Sequence, residues 1–174
     1  MNKIEQYDIA YQGLKDGIHT FQFKIDNKFF EQYDISELNG KNVSVTVVLT
    51  KETTMLTLEF SISGLLNVMC DRCLDYFDMP IDLKQILYVK FSDEIQDEAD
   101  EIIFVPRTES HINIAHYIYE FINLGIPLKK VHPDNKKGKS TCNKEMLERI
   151  EKLSVHNNLA DESRWDEIKK IINN

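Results

Sequence analysis

The sequence predicts an α+β fold in which a twisted antiparallel sheet, or a partial barrel, is followed by C-terminal helices. Three observations carry this expectation. Apolar and polar residues alternate through most of the first half, which is the period of a strand with one buried face. Two long alternating runs flank the short sequence Cys70-Asp71-Arg72-Cys73, as the strands of an antiparallel hairpin would. Beyond residue 113 the apolar spacing lengthens to that of amphipathic helices.

Taken in order, Phe21, Phe23 and Ile25 mark the first strand. Phe29, Phe30, Tyr33 and Leu38 then show roughly helical spacing and predict a short helix or turn against the sheet, ending at Asn39-Gly40. Val43, Val45, Val47 and Leu49 form the next strand. Leu56, Leu58, Phe60, Ile62, Leu66 and Val68 share one parity, with Gly64 in the remaining place, where glycine fits a bulge or bend. After the cysteines, Phe77, Met79, Ile81, Leu83, Leu87, Val89 and Phe91 hold one parity, interrupted only by Gln85. A short strand at Ile102 to Val105 is stopped by Pro106.

Asn113 is the expected cap of a helix carrying Ala115, Ile118, Tyr119 and Ile122, which must stop before Pro127. Asn143 is the expected cap of a second helix, with Met146, Leu147, Ile150 and Leu153 facing inward. A last helix from about Asp161 presents Trp165, Ile168 and Ile172. The chain thus divides into a β-rich domain with a helix at its end (1–128), a basic linker (129–142) and a helical arm (143–174).

The 174 residues are 42% apolar and 29% charged, enough for one core of ordinary size. The N-terminus lacks the apolar run of a signal peptide, and no segment is apolar enough to span a membrane. Three cysteines, an odd number, fit a reducing cytoplasm. The net charge of −8 argues against a protein that coats DNA or RNA, because polyphosphate repels an acidic surface. The charge is uneven, however. Asp93, Glu94, Asp97, Glu98, Asp100 and Glu101 form an acidic run, whereas Lys129, Lys130, Lys136, Lys137, Lys139 and Lys144 face only Asp134 within residues 129–144. Both runs suit solvated loops, and the basic one could also touch a few phosphates.

Two thiols three positions apart at a hairpin turn suit half of a metal site or a buried thiol pair. They suit a thioredoxin-like site poorly, since there the second cysteine lies at a helix start whose amides stabilise a thiolate. Cys142, in a polar loop with His132 ten positions before it, completes a possible set. Cys70, Cys73, His132 and Cys142 could hold zinc in a closed tetrahedral site. Alternatively, Cys70 and Cys73 pack as small apolar side chains with Cys142 uninvolved. A third reading is a thiol-dependent redox protein or enzyme using Cys70 and Cys73. The sequence has no His-Glu-x-x-His, Gly-rich phosphate loop or Gly-x-Ser-x-Gly, so no enzyme is expected. His111 and His116, five apart, do not share a helical face and read as surface or cap residues.

Cys70-Asp71-Arg72-Cys73-Leu74 between alternating strands resembles the signature of the bacterial YceD proteins, the large ribosomal RNA subunit accumulation family. Ile118-Tyr119-Glu120-Phe121-Ile122-Asn123-Leu124-Gly125-Ile126-Pro127-Leu128 is similar to the family's helix that runs into a Leu-x-x-Pro-type stretch. Ser163-Arg164-Trp165-Asp166-Glu167-Ile168-Lys169-Lys170 is similar to its terminal helix. The resemblance implies a non-enzymatic cytoplasmic accessory factor for large-subunit ribosomal RNA accumulation or ribosome biogenesis, with RNA or a ribosomal protein as partner and no membrane or DNA target. Many relatives place further cysteines after the Pro127-like position, where this chain has His132 and Cys142. The expected partner contacts are Arg72, Lys136, Lys137 and Lys139, with Arg164 and Trp165 on the terminal helix.

Overall fold

The computed structural model describes residues 5–33, 38–92 and 102–154. The acidic run at 93–101 and the expected last helix, with Arg164 and Trp165, lie outside the described residues.

Five strands form the main sheet: β2 (Gly17–Ile25), β3 (Asn39–Lys51), β4 (Met55–Met69), β5 (Tyr76–Phe91) and β6 (Ile102–Val105), hydrogen-bonded in that order. The first four run antiparallel, while β6 pairs parallel with β5, from Tyr88↔Ile102 to Phe91↔Val105. A separate two-stranded ribbon joins β1 (Asp8–Ala10) to β7 (His111–Asn113). The helices are α1 (Asn27–Phe30), α2 (Ala115–Gly125) and α3 (Lys144–Leu153).

This corrects the expected α+β class: the described residues are mostly β, and the helices among them are few and small. The alternating segments became strands of 13, 15 and 16 residues, whereas the helical ones yielded 4, 11 and 10. Periodicity identifies an element's type but does not weigh how much core it supplies. Among the described residues, only α2 works as a substantial packing helix, burying Ala115, Ile118 and Ile122. No residue of α3 is buried. The wholly antiparallel sheet is also corrected, because the connection into β6 brings the chain back parallel to β5.

The expected parity is the core. Val43, Val45, Val47, Leu49, Leu56, Leu58, Phe60, Ile62 and Leu66 are all essentially inaccessible to solvent. Burial of such side chains is worth about 1.5–3 kcal/mol each, so this face dominates the stability of the sheet. Phe60 meets Phe121 of α2 edge-on, with ring centroids 5.1 Å apart. Tyr33 stacks flat on Tyr119 at 3.8 Å, joining the chain just after α1 to α2. Gly64 (φ +156°) faces the bulge in β3 between Lys41 and Ser44, where Asn42 is left-handed at φ 54°. A Cβ on Gly64 would lie 2.6 Å from the Val43 Cα, so the bulged strand can approach only a glycine.

Two local expectations shift. The short helix ends at Phe30, and Asn39-Gly40 opens β3 rather than closing the helix. Asn113 lies one residue before the α2 cap, Ile114, although its Oδ1 still accepts from the Ala115 N–H at 3.1 Å.

Candidate metal centre

The β4–β5 hairpin outgrows the sheet. The last pair that β3 makes is Asn39↔Asn67, whereas β4 and β5 continue pairing to Met69↔Tyr76. The turn closes with Cys70 N–H donating to Asp75 O (3.0 Å) and Leu74 N–H to Cys70 O (2.9 Å), with Leu74 left-handed at φ 63°. This compact turn points both thiols inward, and Cys70 and Cys73 are buried.

The segment after α2 folds back onto this turn. Asp71 and Lys130 form a clasp: the Asp71 N–H donates to Lys130 O at 2.7 Å, and the Lys130 N–H donates to Asp71 Oδ2. Asn143 Nδ2 donates to Asp75 Oδ2 at 3.1 Å, while its Oδ1 caps α3 through the N–H groups of Glu145 and Met146. These ties bring His132 and Cys142 to the thiol pair. The His132 ring stacks against Phe77, with centroids 4.6 Å apart. Phe77, Val131, Met146 and Leu147 pack around the three cysteines as a small cluster distinct from the main core.

The ligand atoms of Cys70, Cys73, His132 and Cys142 all lie within 4.8 Å of one another. Cys70 Sγ is 3.8 Å from Cys142 Sγ, and Cys73 Sγ is 3.4 Å from His132 Nδ1. For a tetrahedral ion with ordinary zinc bond lengths, geometry gives edges of about 3.8 Å between sulfurs and about 3.6 Å between sulfur and nitrogen. These two distances are close to those edges, and the cysteines are free thiols rather than disulfides. The group is therefore compatible with a metal site. Burial pushes the Cys70 thiol up, but the backbone N–H groups of Cys73 and Arg72 and the His132 ring outweigh it, bringing it down to about 6. Cys73 is raised, first by burial and then by the neighbouring thiols.

Among the expected partner contacts, Arg72 is exposed in the turn, with Nη1 3.5 Å from Ser140 Oγ. Lys136, Lys137 and Lys139 are exposed on a turn closed by the Asp134↔Ser140 bridge. Asn135 Oδ1 accepts the N–H groups of Lys137 and Lys139, at 2.9 and 3.0 Å, and Gly138 takes φ 71°. The supporting roles of Asp71, Asp75, Asn135 and Ser140 were not apparent from the sequence. An available signal was the Asn135-Lys136-Lys137-Gly138 pattern, a short polar side chain followed by glycine, which marks a side-chain-closed turn. His111 and His116 are surface residues as expected, His116 pairing with Glu120 at 2.9 Å on α2.

Of the four inward-facing positions expected on α3, only Met146 and Leu147 are half-buried, and Ile150 and Leu153 are exposed. No helix among the described residues is long and apolar enough to cross a membrane. No curated protein and no solved structure gives a significant match to the chain. The sequence profile of the large ribosomal RNA subunit accumulation protein YceD matches residues 58–171, a span that includes β5, the cysteine turn, α2 and α3. That description concerns ribosomal RNA accumulation and is not that of an enzyme family. With well over half of its length matched, the chain belongs to the YceD family, whose name implies a role in the accumulation of large-subunit ribosomal RNA.

Proposed function

We propose that this chain is a non-catalytic cytoplasmic accessory factor in large-subunit ribosomal RNA accumulation, acting through a zinc-clasped, basic hairpin tip that contacts RNA phosphates. The observation that carries the reading is the clasp itself. Cys70, Cys73, His132 and Cys142 draw residues 129–143 onto the hairpin turn, so that Arg72 stands beside the lysine-bearing turn. Zinc suits three thiolates and one imidazole, and a closed set of four leaves no open position for a substrate, the arrangement of structural rather than catalytic zinc.

The surrounding stretch carries a formal +5 in a chain whose total is −8, leaving the remainder at −13. Generic nucleic-acid coating is therefore opposed, while a local contact of a few phosphates is favoured. The reading assigns Arg72, Lys136, Lys137 and Lys139 to the partner surface. Arg164 and Trp165 join them on sequence pattern alone, in an arm beyond about residue 143.

The test is recovery of pre-ribosomal large-subunit RNA with the tagged protein after crosslinking in cells, comparing the wild type with Lys136→Glu, Lys137→Glu and Lys139→Glu combined. The triple variant should lose most of the RNA while its thermal unfolding is unchanged, since these side chains are exposed. Full recovery of RNA by the variant would reject the phosphate contact and leave a ribosomal protein as the direct partner.

A further inference from the structure

The protruding tip of the β4–β5 hairpin has two faces, and only one of them is used by the core and the cysteine cluster. Successive strand residues point to opposite faces, so the pair Val68↔Phe77 lies on the covered side, where Phe77 packs on the cysteines. The next pair, Met69↔Tyr76, points the other way, and Tyr76 is 58% exposed. Leu74, in the turn beside them, is also exposed and is left-handed at φ 63°. A leucine is strained there where a glycine would not be, and backbone strain of this kind clusters at sites that hold a side chain for a ligand. The charges around this patch are already sorted. Asp71 Oδ2 accepts the Lys130 N–H, and Asp75 Oδ2 accepts from Asn143 at 3.1 Å. Both Asp78 oxygens pair with Lys41 Nζ at 2.9 Å, and Asn67 Nδ2 donates to Oδ1 at 2.7 Å. Each carboxylate of the tip thus has a partner within the chain. Arg72, exposed in the same turn, instead meets the Ser140 hydroxyl at 3.5 Å.

We infer that Tyr76, flanked by Met69 and Leu74, is a stacking shelf for one unpaired nucleobase of RNA, with Arg72 taking a neighbouring phosphate. Resting on the RNA contact proposed for this tip, the shelf narrows its ligand to unpaired rather than duplex RNA. An exposed ring beside a cation is the chemistry by which single strands are held: the base stacks on the ring and the backbone is neutralised. In a duplex both faces of every base are already occupied by its neighbours, so a flat side chain finds nothing to stack on. Size decides against a protein in the same place. Three side chains fall far short of the about 800 Å² per partner that a stable protein interface buries, whereas one ring matches one base. The strained Leu74 fits the same role, since a rigid turn holds an apolar side chain outward beside the ring.

The test reads the tagged full-length protein in cells in two ways: RNA recovered after formaldehyde crosslinking, and the residue that carries a nucleotide adduct after ultraviolet irradiation. The adduct is expected on Tyr76. Tyr76→Leu should lower RNA recovery about tenfold, and Tyr76→Phe should retain it, because a ring without the hydroxyl still stacks. Both should keep the wild-type thermal unfolding, since the side chain is exposed. Leu74→Gly separates contact from fold: it relieves the strained turn, so stability should hold while RNA recovery falls. Full recovery by Tyr76→Leu, beside loss by the Lys136, Lys137 and Lys139 triple variant, would overturn the shelf and leave the phosphate contact standing. Full recovery by all of these variants would reject the RNA contact at the tip altogether. A ribosomal protein lost from the Tyr76→Leu pull-down at full RNA recovery would give the patch to protein and likewise overturn the shelf.

Discussion

The proposed zinc clasp is perturbed most directly by Cys142→Ser, which removes one of its four ligands, or by treatment with a strong chelator. The magnitude can be worked from the packing. The region 129–154 holds to the hairpin through Val131, Met146 and Leu147, all half-buried, besides the ligands and a few exposed hydrogen bonds. Half-burial of three such side chains is worth about 3 kcal/mol in total. Ordering the backbone costs about 1–2 kcal/mol per residue, and α3 alone has ten residues. Intrahelical bonds offset part of that cost, but an isolated helix of this length is marginal in water. A zinc ion held as proposed would contribute on the order of 10 kcal/mol, enough to decide whether the arm is docked. Hydrogen exchange read by mass spectrometry should show the amides of residues 129–154 losing protection when the ion or ligand is removed. Those of β3 and β4, whose core is a separate cluster, should keep theirs. Equal protection of α3 with and without the ion would refute this accounting and mean that apolar docking suffices.

Gly64→Ala should destabilise the fold by about 2–4 kcal/mol in denaturant unfolding, because the new methyl meets backbone and φ is positive, whereas Gly13→Ala, with open space around it, should change little. Asn143→Ala removes the cap of α3 and the tie to Asp75, so it should raise exchange across α3, with a local cost of about 1 kcal/mol and no change in global unfolding. In alkaline titration followed by phenolate absorbance, Tyr33 should ionise only near pH 12, held back by burial first and then by Tyr119 and its other neighbours. Since the folded chain keeps a proton that the unfolded chain releases above pH 10, this group contributes nothing below that pH and subtracts stability as pH rises from 10 towards 12. Replacing Tyr119 with leucine should bring the Tyr33 transition down, and an unmoved transition would show that burial alone sets it.

The strands were legible because their signal is local and redundant. Six of the seven same-parity positions from Leu56 to Val68 are apolar, and the one exception, Gly64, cannot overturn such a run. Pairing is not local, which is why the parallel β5–β6 edge was invisible: a four-residue strand carries no mark of its direction. The end of the first helix was misplaced for a similar reason. Asn39-Gly40 is a good helix stop in isolation, yet Gly40 is needed at the start of β3, where a Cβ would lie 2.7 Å from the Phe30 ring. The ligand set was readable as residue types, and the spacing of His132 and Cys142 was its weakest point. That spacing is wide because Asp134 to Ser140 form a closed turn of their own between the two ligands, so a long sequence gap spans a short distance. What made Ile150 and Leu153 look inward-facing was the stripe they share with Met146 and Leu147, but a stripe shows only that a face is apolar, not that something covers it.

In the proposed RNA contact, the opposing charges of the chain would act in two stages. Beyond about 8 Å at physiological salt, ionic screening suppresses the interaction between exposed charges, and what survives of the long-range field follows the net −8 and repels a polyanion. Within that distance the nearest charges dominate, and at the hairpin tip these are Arg72 and the lysines of the clasped turn. Binding through such a surface needs the RNA to bring phosphates into a small area while keeping the rest of its backbone away, so a folded, protruding RNA element is admitted more readily than a long duplex. The salt response separates this from nonspecific coating. Neutralising three or four phosphates gives a shallow slope in log affinity against log salt, about −3, whereas a coating protein gives a much steeper one. Raising salt also relieves the long-range repulsion, which flattens the slope further. For the proposed contact a rigid tip is therefore worth more than additional positive charge, and the Asp71–Lys130 hydrogen bonds hold the start of the basic stretch against the hairpin turn.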